Sequence, residues 1–264
     1  MSTKIESPSN PRIKELVKLR ESSRRRRERG VFFVEGGNEL LALARAGRKV
    51  IELYSCSHLH LKQSVLEQLD ELQKIGVPVI ETSQIAQEKA SYRSTPQELI
   101  GIVEAWDLSL NSNTFVGNAP LVILDEVEKP GNLGAILRSV EAFGGAGVLL
   151  SDPTLDFFNP NVVRSSRGLM GAIPLAIGSK QEVLNWLIQS DREIVATSSR
   201  AEEELARHKL PNSAAFLFGS EKYGLGDYWQ SHVVRWVRIP MKGTASSLNL
   251  NVSVACLLDR KSVV

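Results

Sequence analysis

The chain has 264 residues, 42% apolar and 23% charged, which fits a soluble globular protein of about two domains rather than a disordered or fibrous one. The net charge is +2, no run of about 18 apolar residues offers a membrane span, and the polar start "MSTKIESPSNPRIKE" lacks the apolar core of a secretory signal. Two cysteines, Cys56 and Cys256, do not suggest a disulfide scaffold, so a reducing cytoplasm is expected.

The first element is basic. Lys4 to Arg29 holds ten Lys or Arg against four Glu, a surplus of six, so the remainder carries −4. Such a terminus on a nearly neutral body points to an anionic partner, with Arg24, Arg25, Arg26 and Arg27 as candidate nucleic-acid contacts; a solvated helix face followed by a frayed turn explains it equally well. Ile13, Leu16 and Val17 recur at helical spacing, with Pro11 at the start and Gly30 at the end. "VFFVEG" reads as a strand, "NELLALARAG" as a helix, "KVIELYSC" as a strand and "LKQSVLEQLDELQKIG" as an amphipathic helix. "VPVIET" and "ELIGIVEAW" complete the strands of an α/β unit, residues 1–106. His58 and His60 stand without a third ligand, so no metal is expected.

"DLSLNSNTFVGN", residues 107–118, has linker composition, and a second domain of residues 119–264 follows. "LVILDEV", "GVLLSD", "IPLAIG", "EIVATSS", "AAFLFGSE" and "VVRWVRIPM" are short apolar runs interleaved with helices such as "NLGAILRSVEAFG" and "EVLNWLIQS". That alternation predicts an α/β fold with a parallel sheet covered on both faces, whose ligands bind beyond the strand carboxyl ends.

Three loops leave those ends. In "DEVEKPGNLGAILRS", Asn132 can cap the next helix and Arg138 lies six residues on; a plain cap and a wet arginine would explain both. In "FLFGSEKYGLGD", Gly219 ends a strand and Glu221, Gly224 and Gly226 follow, without the dinucleotide or phosphate-loop spacing. In "RIPMKGTASSLNLN", Ile239, Pro240 and Met241 close a strand and Ser247, Leu248 and Asn249 begin a helix. Together they form the walls of a pocket. No G-x-S-x-G elbow or Cys–His pair accompanies them, so the pocket is built for binding and orienting rather than covalent catalysis.

In order and spacing these loops resemble the three motifs of the SpoU (TrmH-type) RNA methyltransferases of the SPOUT superfamily. Asn132, Gly134 and Arg138 match the first motif; Gly219, Glu221 and Gly224 the second; Ile239 to Met241, Gly243 and Ser247 to Asn249 the third. "TLDFFNPNVVRSSRG" looks like the connecting segment, and residues 1–106 resemble a ribosomal-protein-like RNA-binding domain. "SSLNLNVSVA" is two residues longer than the family's usual run, so either Asn249 or Asn251 can hold the functional place, with Asn249 favoured by its spacing.

The resemblance implies a carboxyl-terminal trefoil knot, a homodimer, and methyl transfer from S-adenosylmethionine to a ribose 2′-hydroxyl of rRNA or tRNA. It implies Arg138 as activator of the hydroxyl, with Asn132, Glu221, Ser247 and Asn249 orienting the groups. Leu217, Ile239, Met241 and Leu248, with the Gly219 backbone, would supply an apolar slot for adenine. Arg164 and Arg167, three apart on a probable helix, could grip RNA phosphates or simply face water. The rival readings are a non-catalytic RNA-binding protein that kept the fold, and a base methyltransferase on the same fold.

Overall fold

The structure, a computed structural model, describes residues 4–59, 62–111, 114–205 and 210–262; His60 and part of the 107–118 segment lie outside them. The chain forms two units. One comprises Met1–Trp106 with Asp156–Ala172, the other Asp107–Leu155 with Ile173–Val264. The first is therefore discontinuous in sequence.

In the first unit Asn10 accepts a hydrogen bond from Arg12 N at 2.9 Å, and Pro11 takes a first-turn position that needs no N–H, so α1 runs Pro11–Glu21. It buries Ile13, Leu16 and Leu19. The helical stretch expected up to Gly30 is broken at Ser22, whose backbone is extended (φ −116°, ψ 114°). Its hydroxyl accepts from Arg25 N at 3.2 Å and opens α2 (Ser23–Arg29). A serine that can bond nearby amides offers the backbone an alternative to the helix, and here that alternative wins. Gly30, left-handed at φ 62°, closes α2.

Next come β1 (Val31–Glu35), α3 (Gly37–Arg45), β2 (Val50–Ser55), α4 (Gln63–Lys74), β3 (Val79–Glu81), α5 (Gln84–Ala90) and β4 (Leu99–Glu104). The sheet order is β1-β4-β2-β3, with β4 antiparallel to both neighbours and β2 parallel to β3. Helix α5 is short and escaped the sequence reading. The later segment adds Pro160–Ser166 (α7 in chain order), started by Asn159 and Pro160 and ended by Arg167 in the left-handed region at φ 54°. Phe158 from the same segment packs on Phe32 and Trp106, with ring centroids 4.9 Å and 5.0 Å away.

The second unit contains β5 (Leu121–Asp125), α6 (Pro130–Ala142), β6 (Gly147–Ser151), β7 (Leu175–Gly178), α8 (Lys180–Gln189), β8 (Ile194–Thr197) and β9 (Glu203–Glu204). Then follow β10 (Ala215–Phe218), α9 (Asp227–Gln230), β11 (Arg235–Arg238) and α10 (Leu250–Ser262). All seven strands pair in parallel, in the order β7-β6-β5-β10-β8-β11-β9. Strands β5, β6 and β10 are buried along their whole length, which is why they read as unbroken apolar runs. Leu121, Ile123, Leu149, Leu217 and Trp229 form part of one core cluster. Helix α10 packs against α6.

The described residues of the 107–118 segment include two that are tied to this unit. Ser109 bridges to Ile177, and Phe115 is buried against Trp186 with centroids 5.4 Å apart. Strand β11 stops at Arg238, so Ile239 to Met241 lie beyond it rather than closing it. Asn249 precedes α10 and caps it: its Oδ1 accepts from Asn251 N and its carbonyl from Ser253 N, each at 3.0 Å. Both cysteines are free thiols. Among the described residues no helix is long and apolar enough to cross a membrane.

Candidate active site

From β5 the chain steps outward through β6 and β7, and the later strands lie on the other side. The strand order therefore reverses between β5 and β10. In a parallel sheet that reversal opens a crevice at the strand carboxyl ends. Loops from both strands meet there.

Asn132 is not the cap of α6. Lys129 holds that position, without a side-chain cap, and Asn132 sits inside the first turn with its amide free to reach outward. Asn132 Nδ2 donates to Glu221 Oε1, and Lys129 Nζ donates to the other carboxylate oxygen. Because a carboxylate only accepts, Asn132 must turn its Oδ1 away, and that oxygen accepts from Asn249 Nδ2 at 3.2 Å. Asn249 in turn keeps its own Oδ1 for the α10 cap. One carboxylate thus sets the orientation of two amides on two helices.

Glu221 is presented by a tight loop. Ser220 N bonds Gly224 O at 3.1 Å and Gly224 N bonds Ser220 O at 2.9 Å. The loop folds back so closely that a Cβ on Gly219 would lie 2.1 Å from the Gly224 carbonyl carbon, so only glycine fits there. Gly224 turns the chain at φ 69°.

The other expected residues are not joined to this chain of bonds. Arg138 is exposed, and its side chain has no hydrogen bond or ion pair among the described residues. Six helical residues from Asn132 place it about 120° around α6. Its neighbour Ser139 donates to Asn251 Oδ1 at 2.9 Å, so Asn251 is engaged on α6 while Asn249 serves Asn132. Ser247 is exposed. Leu217 is 0% exposed, so its side chain belongs to the core and cannot line a slot, the consequence of a strand buried on both faces. Ile239 and Leu248 are half-buried and Met241 is 37% exposed, so their apolar surface is in part open.

Two residues were not anticipated. Lys129 gives no signal beyond standing before Pro130. Asp125, the last residue of β5, accepts from Ser151 Oγ at 2.7 Å and lies 3.7 Å from Lys180 Nζ. Burial pushes its carboxyl above the ordinary aspartate value.

The basic residues need a correction. Arg26 is 3% exposed; its Nε donates to Asp156 Oδ2 at 2.7 Å and its Nη1 to the Leu19 carbonyl, so it cannot meet RNA. A guanidinium carried to the inside of the first unit must have a carboxylate there, and Asp156 supplies it. Arg25 is held by both oxygens of Glu15 and Arg24 by Glu28 at 2.7 Å. The Arg27 side chain alone of the four is exposed with no partner among the described residues. Arg164 and Arg167 are both exposed, in the first unit.

Comparison with known proteins gives the family. A domain described as the SpoU rRNA Methylase family matches residues 119–259, and an MRM3-like substrate binding domain matches residues 10–101. The 23S rRNA (adenosine(1067)-2′-O)-methyltransferase of Streptomyces azureus is 26% identical over 97% of this chain and 94% of its own. The 23S rRNA (uridine(2479)-2′-O)-methyltransferase of Streptomyces viridochromogenes is 30% identical over 68% of this chain and 67% of its own. A solved RNA 2′-O ribose methyltransferase is 31% identical with a TM-score of 0.85, covering 99% of this chain and 98% of that one. An AdoMet-bound rRNA methyltransferase from Sinorhizobium meliloti is 26% identical with a TM-score of 0.86, covering 98% and 97%. Motifs, parallel sheet and domain matches together place this chain in the SpoU rRNA methylase family.

Proposed function

We propose that the protein transfers the methyl group of S-adenosylmethionine to a ribose 2′-hydroxyl of ribosomal RNA. The observation that carries this is the run Lys129–Glu221–Asn132–Asn249, which gathers polar side chains of all three motifs at the sheet's reversal point. Relatives aligned over nearly the whole chain carry that activity in their names, and one solved relative binds AdoMet. On this reading residues 1–106 bind the substrate RNA, 107–118 connect, and 119–264 carry the methyltransferase with its trefoil knot. The enzyme works in the cytoplasm as a homodimer.

The residues fit the methyl donor. Half-buried Ile239 and Leu248 with exposed Met241 offer uncovered apolar surface for adenine, and Gly219 would contribute through its own backbone groups, the space of its missing Cβ being filled by Gly224. S-adenosylmethionine supplies an electrophilic methyl on a cationic sulfur. The protein's task is then mainly to position the attacking oxygen in line. Arg138, unpartnered and charged, holds the phosphate beside the target ribose and polarises the hydroxyl, which must shed its proton as it attacks. Asn132, Glu221 and Asn249 keep the first turn of α6 and the start of α10 in register, and exposed Ser247 is left to orient the ribose.

Arg138→Ala should lower methyl transfer by about a thousandfold with S-adenosylmethionine affinity unchanged by calorimetry, because only the attacking hydroxyl loses its partner. Wild-type turnover in that variant sinks the assignment. Nuclease digestion and mass spectrometry of the product separate ribose methylation from base methylation.

A further inference from the structure

The first unit holds a buried carboxylate that the methyl-transfer chemistry does not use. Glu35, at the end of β1 and 6% exposed, accepts from Tyr92 N at 2.8 Å, Arg93 N at 3.0 Å and Gln97 N at 3.1 Å, and from the Ser91 hydroxyl. Arg93 is further tied to Glu39 at 2.8 Å. A surface loop usually leaves its amides to water. Here three of them converge on one internal anion, which fixes the loop 91–97 before any ligand arrives.

What the loop presents is suited to a nucleotide. Tyr92 is 40% exposed, and the Arg164 guanidinium stands 5.9 Å from its ring centroid. Tyr92, Arg93, Ser94, Thr95, Gln97 and Arg164 line one open cavity of 520 Å³. That lies within the roughly 300–1,000 Å³ of small-ligand pockets. The lining has two guanidiniums, two aliphatic hydroxyls, a side-chain amide and a phenol ring, and no carboxylate. A ring takes a base by stacking, a guanidinium takes a phosphate, and hydroxyl and amide groups read a base edge.

We propose that this cavity is a subsite for one unpaired nucleotide of the RNA substrate, with its base on Tyr92 and its phosphate on Arg164. Glu35 is a positioning residue that holds the loop. The proposal rests on the reading that the substrate is RNA, and it adds where an unstacked base of that RNA is held.

The test uses the full chain and a fluorescein-labelled single-stranded oligoadenylate, followed by anisotropy. Tyr92→Ala should weaken binding by about tenfold and Tyr92→Trp restore it. Arg164→Ala should weaken it several-fold and reduce the salt slope by about one. Glu35→Gln should match Tyr92→Ala and in addition lose hydrogen-exchange protection at the Tyr92, Arg93 and Gln97 amides. Binding by Tyr92→Ala and Tyr92→Leu within about twofold of wild type overturns the subsite, as does an equal loss on double-stranded RNA, whose base faces are covered. Methyl transfer and S-adenosylmethionine binding are measured separately. If they persist while the Tyr92 variants bind normally, the subsite falls and the enzymatic reading stands.

Discussion

In the first unit, key charged groups are buried and saturated with partners: Arg26 with Asp156 and a carbonyl, Glu35 with three amides and a hydroxyl. In the second, the candidate site forms a bonded chain near the surface, while Arg138, farther along α6, is exposed without a partner among the described residues. A charge surrounded by its own fold stabilises that fold, and its removal shows as unfolding. A charge left unpaired on the surface costs little to lose from the fold, and its removal shows only when a ligand should have met it.

Five variants probe that contrast, beginning with the largest effect. Arg26→Ala strands Asp156 half inside the first unit and should cost about 3 kcal/mol in urea unfolding. A loss below about 0.5 kcal/mol would place Arg26 with the surface residues instead. Asn249→Ser keeps an oxygen to cap α10 but loses the amide that reaches Asn132, so kcat should fall about a hundredfold at an almost unchanged melting temperature. Asn251→Ala should instead cost about 1 kcal/mol of stability through the lost Ser139 bond, with turnover nearly intact. Reversed outcomes would hand the functional place to Asn251.

Arg27→Ala should leave melting alone, weaken RNA binding a few-fold and lower the salt slope by about one. An unchanged slope would show that α2 meets no phosphate. The smallest effect tests the buried carboxylate of the second unit. With its folded pKa raised, Asp125 contributes stability below the ordinary aspartate value, and that contribution disappears as pH rises through the raised one. A carboxamide in its place cannot ionise, and Lys180 keeps Glu126, so Asp125→Asn should gain on wild type as pH climbs from about 4 to about 7. A difference in melting temperature that stays constant with pH would contradict it.

The parallel sheet was legible because β5, β6 and β10 are buried on both faces and leave unbroken apolar runs. The three motif loops were legible because glycine and small polar residues cluster where the backbone doubles back, as at Gly219. Partners were not legible. Nothing in "RRRR" distinguishes Arg26 from Arg27, because the carboxylate that decides lies 130 residues away. Asn132 looked like a cap because the competing acceptor, Glu221, is 89 residues distant. The break at Ser22 and the short α5 and α9 escaped for a local reason: hydroxyl caps at Ser22 and Ser83 decide the first two, and one helical turn carries too little periodicity to register.

The discontinuity of the first unit also bears on synthesis. Its four strands are all made by Glu104, yet Asp156, the Phe158 ring and α7 come from a segment ending at Ala172. On the ribosome this unit therefore waits, with Arg26 lacking its counter-ion, until β5, α6 and β6 have emerged. A fragment cut after Trp106 would stay in that waiting state, whereas one extended by a grafted copy of residues 156–172 would leave it.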